Sequence, residues 1–148
     1  YGYSRSPSFS EIISLLIPFD KERKTMGEKE NTQSIVDGYT NSWISGDFKK
    51  ARSYLADDID FRGSLNQFSD ADSLIAALEK FTKILKSVDF TSRFYEGNEA
   101  MLMYDYHTDS PAGSIRTVEY FRVARGKIKE IKVVYDATEL RKMMGDQA

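Results

Sequence analysis

The chain has 148 residues, 41% of them hydrophobic and 13% aromatic, which is the composition of one globular domain and not of a disordered segment. Its 21 basic and 23 acidic residues are closely interspersed for a net charge of −2, so no basic stripe of the kind that grips nucleic acid is present. With no cysteine and a single histidine, His107, the chain excludes disulfides, thiolate nucleophiles and Cys- or His-rich metal sites.

Residues 1–31 differ from the rest and read as an N-terminal extension. YGYSRSPS is polar and turn-like, SFSEIISLLIPF suits one or two turns of amphipathic helix stopped by Pro18, and DKERKTMGEKEN is a solvated charge run in which Met26 is a candidate native start. The longest apolar run, IISLLIPF from Ile12 to Phe19, falls far short of the roughly 20 residues that span a bilayer. It also lacks the basic flank and small-residue cleavage site of a secretory signal, so a cytoplasmic protein without a membrane partner is expected.

From Thr32 to the end the patterning sharpens into one domain, 32–148. TQSIVDGYTNSWIS places Ile35, Tyr39 and Trp43 at four-residue spacing on one helical stripe. Gly46 and Asp47 then end that helix and cap a second short one, DFKKARSYL, with Phe48, Ala51 and Leu55 inward. The acidic pair Asp57-Asp58 closes it and solvates a turn. ADDIDFRGS alternates at Ile59 and Phe61 as a strand does, and SDAD from Ser69 has the form of a capping box. It opens a long helix predicted to carry Leu74, Ile75, Leu78, Phe81, Leu85 and Val88 on one face.

After Ser87 the period changes from 3.6 to 2. DFTSRFYEG, EAMLMYDYHTD, SIRTVEYFRVA and KIKEIKVVYD read as four consecutive strands, separated by Gly97-Asn98, Ser110–Gly113 and Arg125-Gly126, all of turn chemistry. TELRKMMG at the end has a helical pattern. The order ααβαββββ predicts an α+β fold, with N-terminal helices packed on a curved, mainly antiparallel sheet.

That order and its punctuation resemble the nuclear-transport-factor-2-like superfamily, in its SnoaL-like and ketosteroid-isomerase-like branches. The resemblance is carried by W-x-x-G-D (Trp43 to Asp47), L-A-D-D-x-D-F (Leu55 to Phe61), V-E-Y-F-R-V (Val118 to Val123), R-G-K-I (Arg125 to Ile128) and V-Y-D (Val134 to Asp136), and it covers roughly 32–144. It implies a cone-shaped, cystatin-like fold with a pocket between sheet and helices, and frequently a homodimer. It says little about chemistry, because the fold hosts isomerases, dehydratases, cyclases, epoxide hydrolases and binding modules without activity.

Carried over residue by residue, the resemblance puts Tyr39 where ketosteroid isomerase has a tyrosine of its oxyanion hole, seven residues before the G-D pair. Allowing one gap, Glu119 takes the place of that hole's carboxylic acid, and Tyr135 that of a tryptophan lining the pocket. The place of the general base is Gly63, and the last-strand aspartate of limonene epoxide hydrolase falls near Val133. The chain thus keeps the hydrogen-bonding pair and departs at the base.

Read from the residues alone, Tyr39 and Glu119 are either such a donor pair or a structural hydrogen bond between half-buried groups. Asp105 and His107 share one face of their strand. They are either an acid–base pair that supplies the missing base or surface residues near a turn, according to whether Leu102, Tyr104 and Tyr106 face the core. Trp43, Phe61 and Met103 are pocket wall or plain core, and Arg116 and Arg122 are solvated or at a dimer interface. The expectation is a small-molecule pocket for an apolar organic ligand, with Tyr39 and Glu119 at its depth and acid–base chemistry that needs neither cofactor nor metal. The contrasting expectation is a ligand-binding or dimerisation module without activity.

Overall fold

The computed structural model describes residues 6–145, with backbone alone over 10–26. The elements are α1 (Phe9–Ile44), α2 (Phe48–Ser53), β1 (Leu55–Arg62), β2 (Gln67–Phe68), α3 (Ala71–Thr82), β3 (Leu85–Glu96), β4 (Glu99–Thr108), β5 (Ser114–Ala124), β6 (Lys127–Tyr135) and α4 (Thr138–Gly145).

The sheet is six-stranded in the order β2-β1-β6-β5-β4-β3. Only β1 and β6 run parallel, and every other neighbouring pair is antiparallel. β3 to β6 form a meander because each connection carries turn chemistry. Arg125 and Gly126, with φ of 53° and 76°, take the left-handed conformation that a two-residue hairpin between right-twisted strands requires. Register shifts at Phe90/Ser92 and Arg122/Val123 bend the long strands, and that bend curves the sheet around its helices.

α1 corrects the expectation at its N-terminal side. The helix continues through Pro18 and across the charge run as one element of 36 residues, about 54 Å long at 1.5 Å per residue. The first five residues of the expected turn over 1–8, and the side chains of the Ile12–Phe19 run, lie outside the described residues. Among the described residues of α1, Glu28 to Asn31 are exposed and Thr32 is the first to be buried. Its hydroxyl donates to the Gly97 carbonyl at 2.7 Å and ties the helix to the β3–β4 turn. Val36, Tyr39, Thr40 and Trp43 then bury the helix on the sheet.

The Gly46-Asp47 pair works as read. The Asp47 N–H donates to the Ser42 carbonyl at 2.8 Å and the Gly46 N–H to that of Trp43 at 3.1 Å, with Gly46 at φ +86°. This Schellman arrangement closes α1. The Asp47 carboxylate then accepts from the Lys50 N–H and caps α2.

Three further boundaries differ from expectation. α2 ends at Ser53, so Leu55, expected on that helix, and the Asp57-Asp58 pair, expected to close it, belong to β1. Asp70, not Ser69, caps α3, accepting from the Ser73 N–H at 2.8 Å. α3 ends at Thr82, so Leu85 and Val88 belong to β3. Two-residue β2, which the periodicity does not show, folds back on β1 through Phe61↔Phe68. Among the described residues no helix is long and apolar enough to cross a membrane.

The core lies between α1, α3 and the inward face of the sheet, where Leu55, Ile59, Leu102, Tyr104, Phe121, Ile128 and Ile131 meet Trp43 and Leu74.

Candidate functional site

The inward faces of β4 and β5 follow strict alternation. On β4, Leu102, Tyr104, Tyr106 and Thr108 are buried while Met101 and Met103 are exposed. On β5, Ile115, Thr117, Glu119, Phe121 and Val123 are buried. Glu119 is therefore a carboxyl on the buried face of a central strand, 4% exposed, opposite Leu102 on one side and Val133 on the other.

Glu119 opens onto a cavity of about 340 Å³ between the sheet, α3, the β1–β2 loop and α4. Trp43, Phe61, Phe68, Phe81, Tyr106 and Tyr135 supply an aromatic wall, and Leu74, Leu78, Ile115 and Val133 an aliphatic one. Asn66, Lys80, Met143 and Met144 are the exposed members of the lining and mark its mouth. α4 is placed there by β6. The Asp136 carboxylate accepts from the Thr138 N–H at its start, the Tyr135 N–H donates to the Ser64 hydroxyl, and Arg141 donates to the Ser64 carbonyl.

The polar groups at the depth of the site form a chain. The Tyr104 hydroxyl donates to Glu119 Oε1 at 2.8 Å, and the Tyr104 and Tyr106 hydroxyls are 2.7 Å apart. Because the Tyr104 proton is committed to Glu119, Tyr106 donates to Tyr104 in this arrangement. Burial pushes the Glu119 carboxyl up to about 7, against the smaller opposing effect of the Tyr104 hydrogen bond, which favours the charged form. Burial, and then the Glu119 charge, hold the phenols of Tyr39, Tyr104 and Tyr106 well above their ordinary range. Burial also raises Tyr135.

The predicted site residues divide between the two faces of the sheet. Glu119, Trp43, Phe61 and Tyr135 line the cavity. Tyr39 is 1% exposed in the core with its ring edge-on to Phe121 at 6.0 Å, near enough to Glu119 to feel its charge. The hydrogen bond to Glu119 nevertheless comes from Tyr104, so the expected Tyr39–Glu119 pair is replaced by a Tyr104–Glu119 pair.

Asp105, His107 and Met103 lie on the outer face, because Leu102, Tyr104 and Tyr106 take the inner one. Asp105 accepts both bonds of a bidentate pair from Arg116 at 2.9 and 3.0 Å, which holds its carboxyl below the usual range. His107 bonds Asp89 and Ser114 at 2.7 and 2.8 Å. They do not form an acid–base pair in the cavity. Gly63, at the place of the base, donates its N–H to the Asn66 carbonyl, and a Cβ there would stand 3.2 Å from the Phe61 ring.

Sequence reasoning missed Tyr104 and Tyr106 as site residues. The signal was the same alternation that buries Leu102, read one step further along β4. Among the described residues no group of His, Asp and Glu side chains could hold a metal ion.

The profile of the SnoaL-like domain family matches residues 36–131. A search of curated proteins finds no match. Among solved structures, a protein from Kribbella flavida is 26% identical, with 78% of this chain and 96% of that one covered at a TM-score of 0.69. An NTF2-like protein of unknown function from Cytophaga hutchinsonii is 20% identical over 74% of this chain and 93% of its own, at a TM-score of 0.64. An uncharacterised bacterial protein with a cystatin-like fold from Silicibacter pomeroyi is 17% identical over 76% and 84%, at a TM-score of 0.65. The last two likenesses show the fold and no more.

Proposed function

The chain belongs to the SnoaL-like domain family, and from that premise we propose that it binds a small apolar organic molecule in the cavity and acts on it by proton transfer through Glu119. The observation that carries this reading is a buried carboxyl at the depth of an otherwise apolar cavity. A volume of about 340 Å³ falls within the usual range for small-molecule sites, and a few polar groups in an aromatic wall are what fixes a ligand's orientation. A carboxyl held at about 7 is present in both forms at neutral pH, so it can take a proton from a bound molecule or give one. In the same wall the Tyr135 phenol can donate to a ligand oxygen, and the Tyr106 oxygen, whose own proton goes to Tyr104, can accept from a ligand hydroxyl. The Trp43 indole N–H, buried without a partner among the described residues, is a further donor in the lining.

The test is binding of N-phenyl-1-naphthylamine, a neutral two-ring probe whose fluorescence rises in an apolar site. We expect saturable binding at one site per chain, lost in Ala77→Trp, which fills the cavity beside α3, with the melting temperature retained. Binding that is absent, or indifferent to Ala77→Trp, overturns the reading.

A second reading, a binding module without activity, is favoured by Gly63 at the place of the base and by the Asp105–His107 pair on the far face of the sheet. Both readings predict probe binding. They part on whether Glu119→Gln abolishes chemistry while sparing affinity.

A further inference from the structure

We propose that Tyr106, Tyr104 and Glu119 form one proton relay whose two ends open into the same cavity, so that a bound molecule can exchange protons at two of its atoms without separating charge. This rests on the reading of the cavity as a ligand site and adds the chemistry performed there. Tyr106 and Glu119 both line the cavity, whereas Tyr104 sits between them behind the wall. Only two hydrogen bonds, of 2.7 and 2.8 Å, separate the two ends. All three groups are buried, Tyr104 at 1% exposure, so bulk water does not interrupt the chain.

The direction of the hydrogen bonds dictates the reaction. Tyr104 donates to Oε1 of Glu119 and therefore accepts from Tyr106. With Glu119 protonated on Oε2, an enol seated with its O–H on Tyr106 can give that proton to the Tyr106 oxygen. Tyr106 passes its own proton to Tyr104, Tyr104 passes its proton to Oε1, and the Oε2 proton goes to the enol carbon. The enol O–H bond breaks and a C–H bond forms. The C=C pair becomes that C–H bond, and the O–H pair becomes the carbonyl π bond. Every protein group ends neutral and the carboxyl has exchanged one proton for another. The reverse sequence enolises the ketone.

No separated charge is created. That suits a cavity whose surroundings penalise ions, since an ionised group taken from water into an apolar site costs several kcal/mol. The titratable groups around the chain are Tyr39 from α1, Tyr135 from β6 and, at the mouth on α3, Lys80. The phenols are held neutral, so Glu119 is the group whose ionisation stops the relay.

The relay differs in a measurable way from a carboxylate acting alone as a general base. A lone base works faster as Glu119 ionises, whereas the relay needs the protonated carboxyl and works slower. The experiment is deuterium exchange at the α-carbons of 2-tetralone in D2O, followed by NMR after subtraction of the buffer rate. Binding of 2-tetralone is measured separately by displacement of N-phenyl-1-naphthylamine.

We expect exchange above the buffer rate, level at low pH and falling as pH rises through about 7, the value at which Glu119 ionises. Tyr104→Phe, Tyr106→Phe and Glu119→Gln should each lower it by roughly 10²-fold or more while keeping the probe affinity and the near-ultraviolet circular dichroism. Exchange that rises with pH, or that survives in Tyr104→Phe, overturns the relay and leaves Glu119 as a simple base. Binding of 2-tetralone without exchange overturns the relay and leaves the cavity reading standing. Absence of binding of either compound overturns both.

Discussion

Tyr104 and Glu119 meet diagonally across the β4–β5 ladder. Glu119 stands directly opposite Leu102, and Tyr104 directly opposite Thr117, yet the phenol reaches Glu119 Oε1 at 2.8 Å. Diagonal neighbours on one face lie within reach of a long aromatic side chain, and here the reach supplies a buried carboxyl with a donor. Since that bond favours the charged form, Tyr104→Phe should drive the Glu119 carboxyl above about 7. A hydrogen bond to a charged group is worth about 1.5–3 kcal/mol, so a change of roughly tenfold or more in proton affinity is expected. Titration of the Glu119 carboxyl resonance by ¹³C NMR measures it, and an unchanged or lower midpoint contradicts the pairing.

Glu119 also makes stability depend on pH. In the unfolded chain its carboxyl ionises near 4.5, and in the folded protein near 7, so between these values the folded state binds more protons. Stability therefore falls as pH rises from about 4.5 to about 7 and stays lower above. The difference is on the order of 3 kcal/mol. Glu119→Gln fills the same space, keeps an acceptor for Tyr104 and cannot ionise. Urea unfolding should find it more stable than the parent by about 2–3 kcal/mol at pH 8 and equal within about 1 kcal/mol at pH 4.5. An equal difference at both pH values would show that Glu119 is not buried as a neutral acid.

What was legible in the sequence follows the reach of its signals. The strands of the meander, the Gly46-Asp47 junction and the inward placement of Glu119 each rest on neighbours within a few residues, and local alternation or capping reveals them. The extent of α1 was not legible, because Pro18 reads as a stop and the charge run DKERKTMGEKEN after it has no apolar stripe at helical spacing. β2 pairs only two residues with β1, which is too short for a period. The donor to Glu119 was misassigned because Tyr39 and Tyr104 are equally plausible from sequence, and the choice depends on the β4–β5 register, a contact between residues fifteen apart. Asp105 and His107 show the cost of a one-residue difference in phase, which moves a side chain to the other face of a sheet.

We propose that the boundary between extension and domain lies at Thr32. Glu28 to Asn31 are exposed, and Thr32 is the first buried residue among those described on α1, anchored on the Gly97 carbonyl. Removal of residues 1–25 should leave this anchor and every residue of the core in place. The truncated protein should melt within about 4 °C of the parent, corresponding to about 1 kcal/mol or less for a domain of this size. A larger fall would show that the apolar run Ile12–Phe19 packs on the domain or on a second copy of the chain.

The outer face of the sheet predicts association. Phe94, Met101 and Tyr120 align in one cross-strand row, and Met103, Val118 and Val134 in the next. Phe94 and Val134 are 70% and 66% exposed, and Met101 and Met103 are 46% and 37% exposed, so the patch is apolar and open to solvent. Ion pairs flank it, Arg116 with Asp105 on one side and Arg122 with Glu130 on the other. An apolar centre with a charged rim is the anatomy of a protein interface, and exposed patches of this kind are otherwise an aggregation hazard. We propose a homodimer that buries this face, which needs an interface of at least about 1,000 Å² to be stable. Met103→Glu combined with Val134→Glu would bring carboxylates from both copies into the centre of that contact. Sedimentation at micromolar concentration should then find a dimer for the parent and a monomer for the double variant, with the circular dichroism and N-phenyl-1-naphthylamine binding unchanged, because the cavity opens on the opposite face. A monomeric parent, or a double variant that remains dimeric, would remove this face as the interface and leave Met103 and Val134 as ordinary exposed residues.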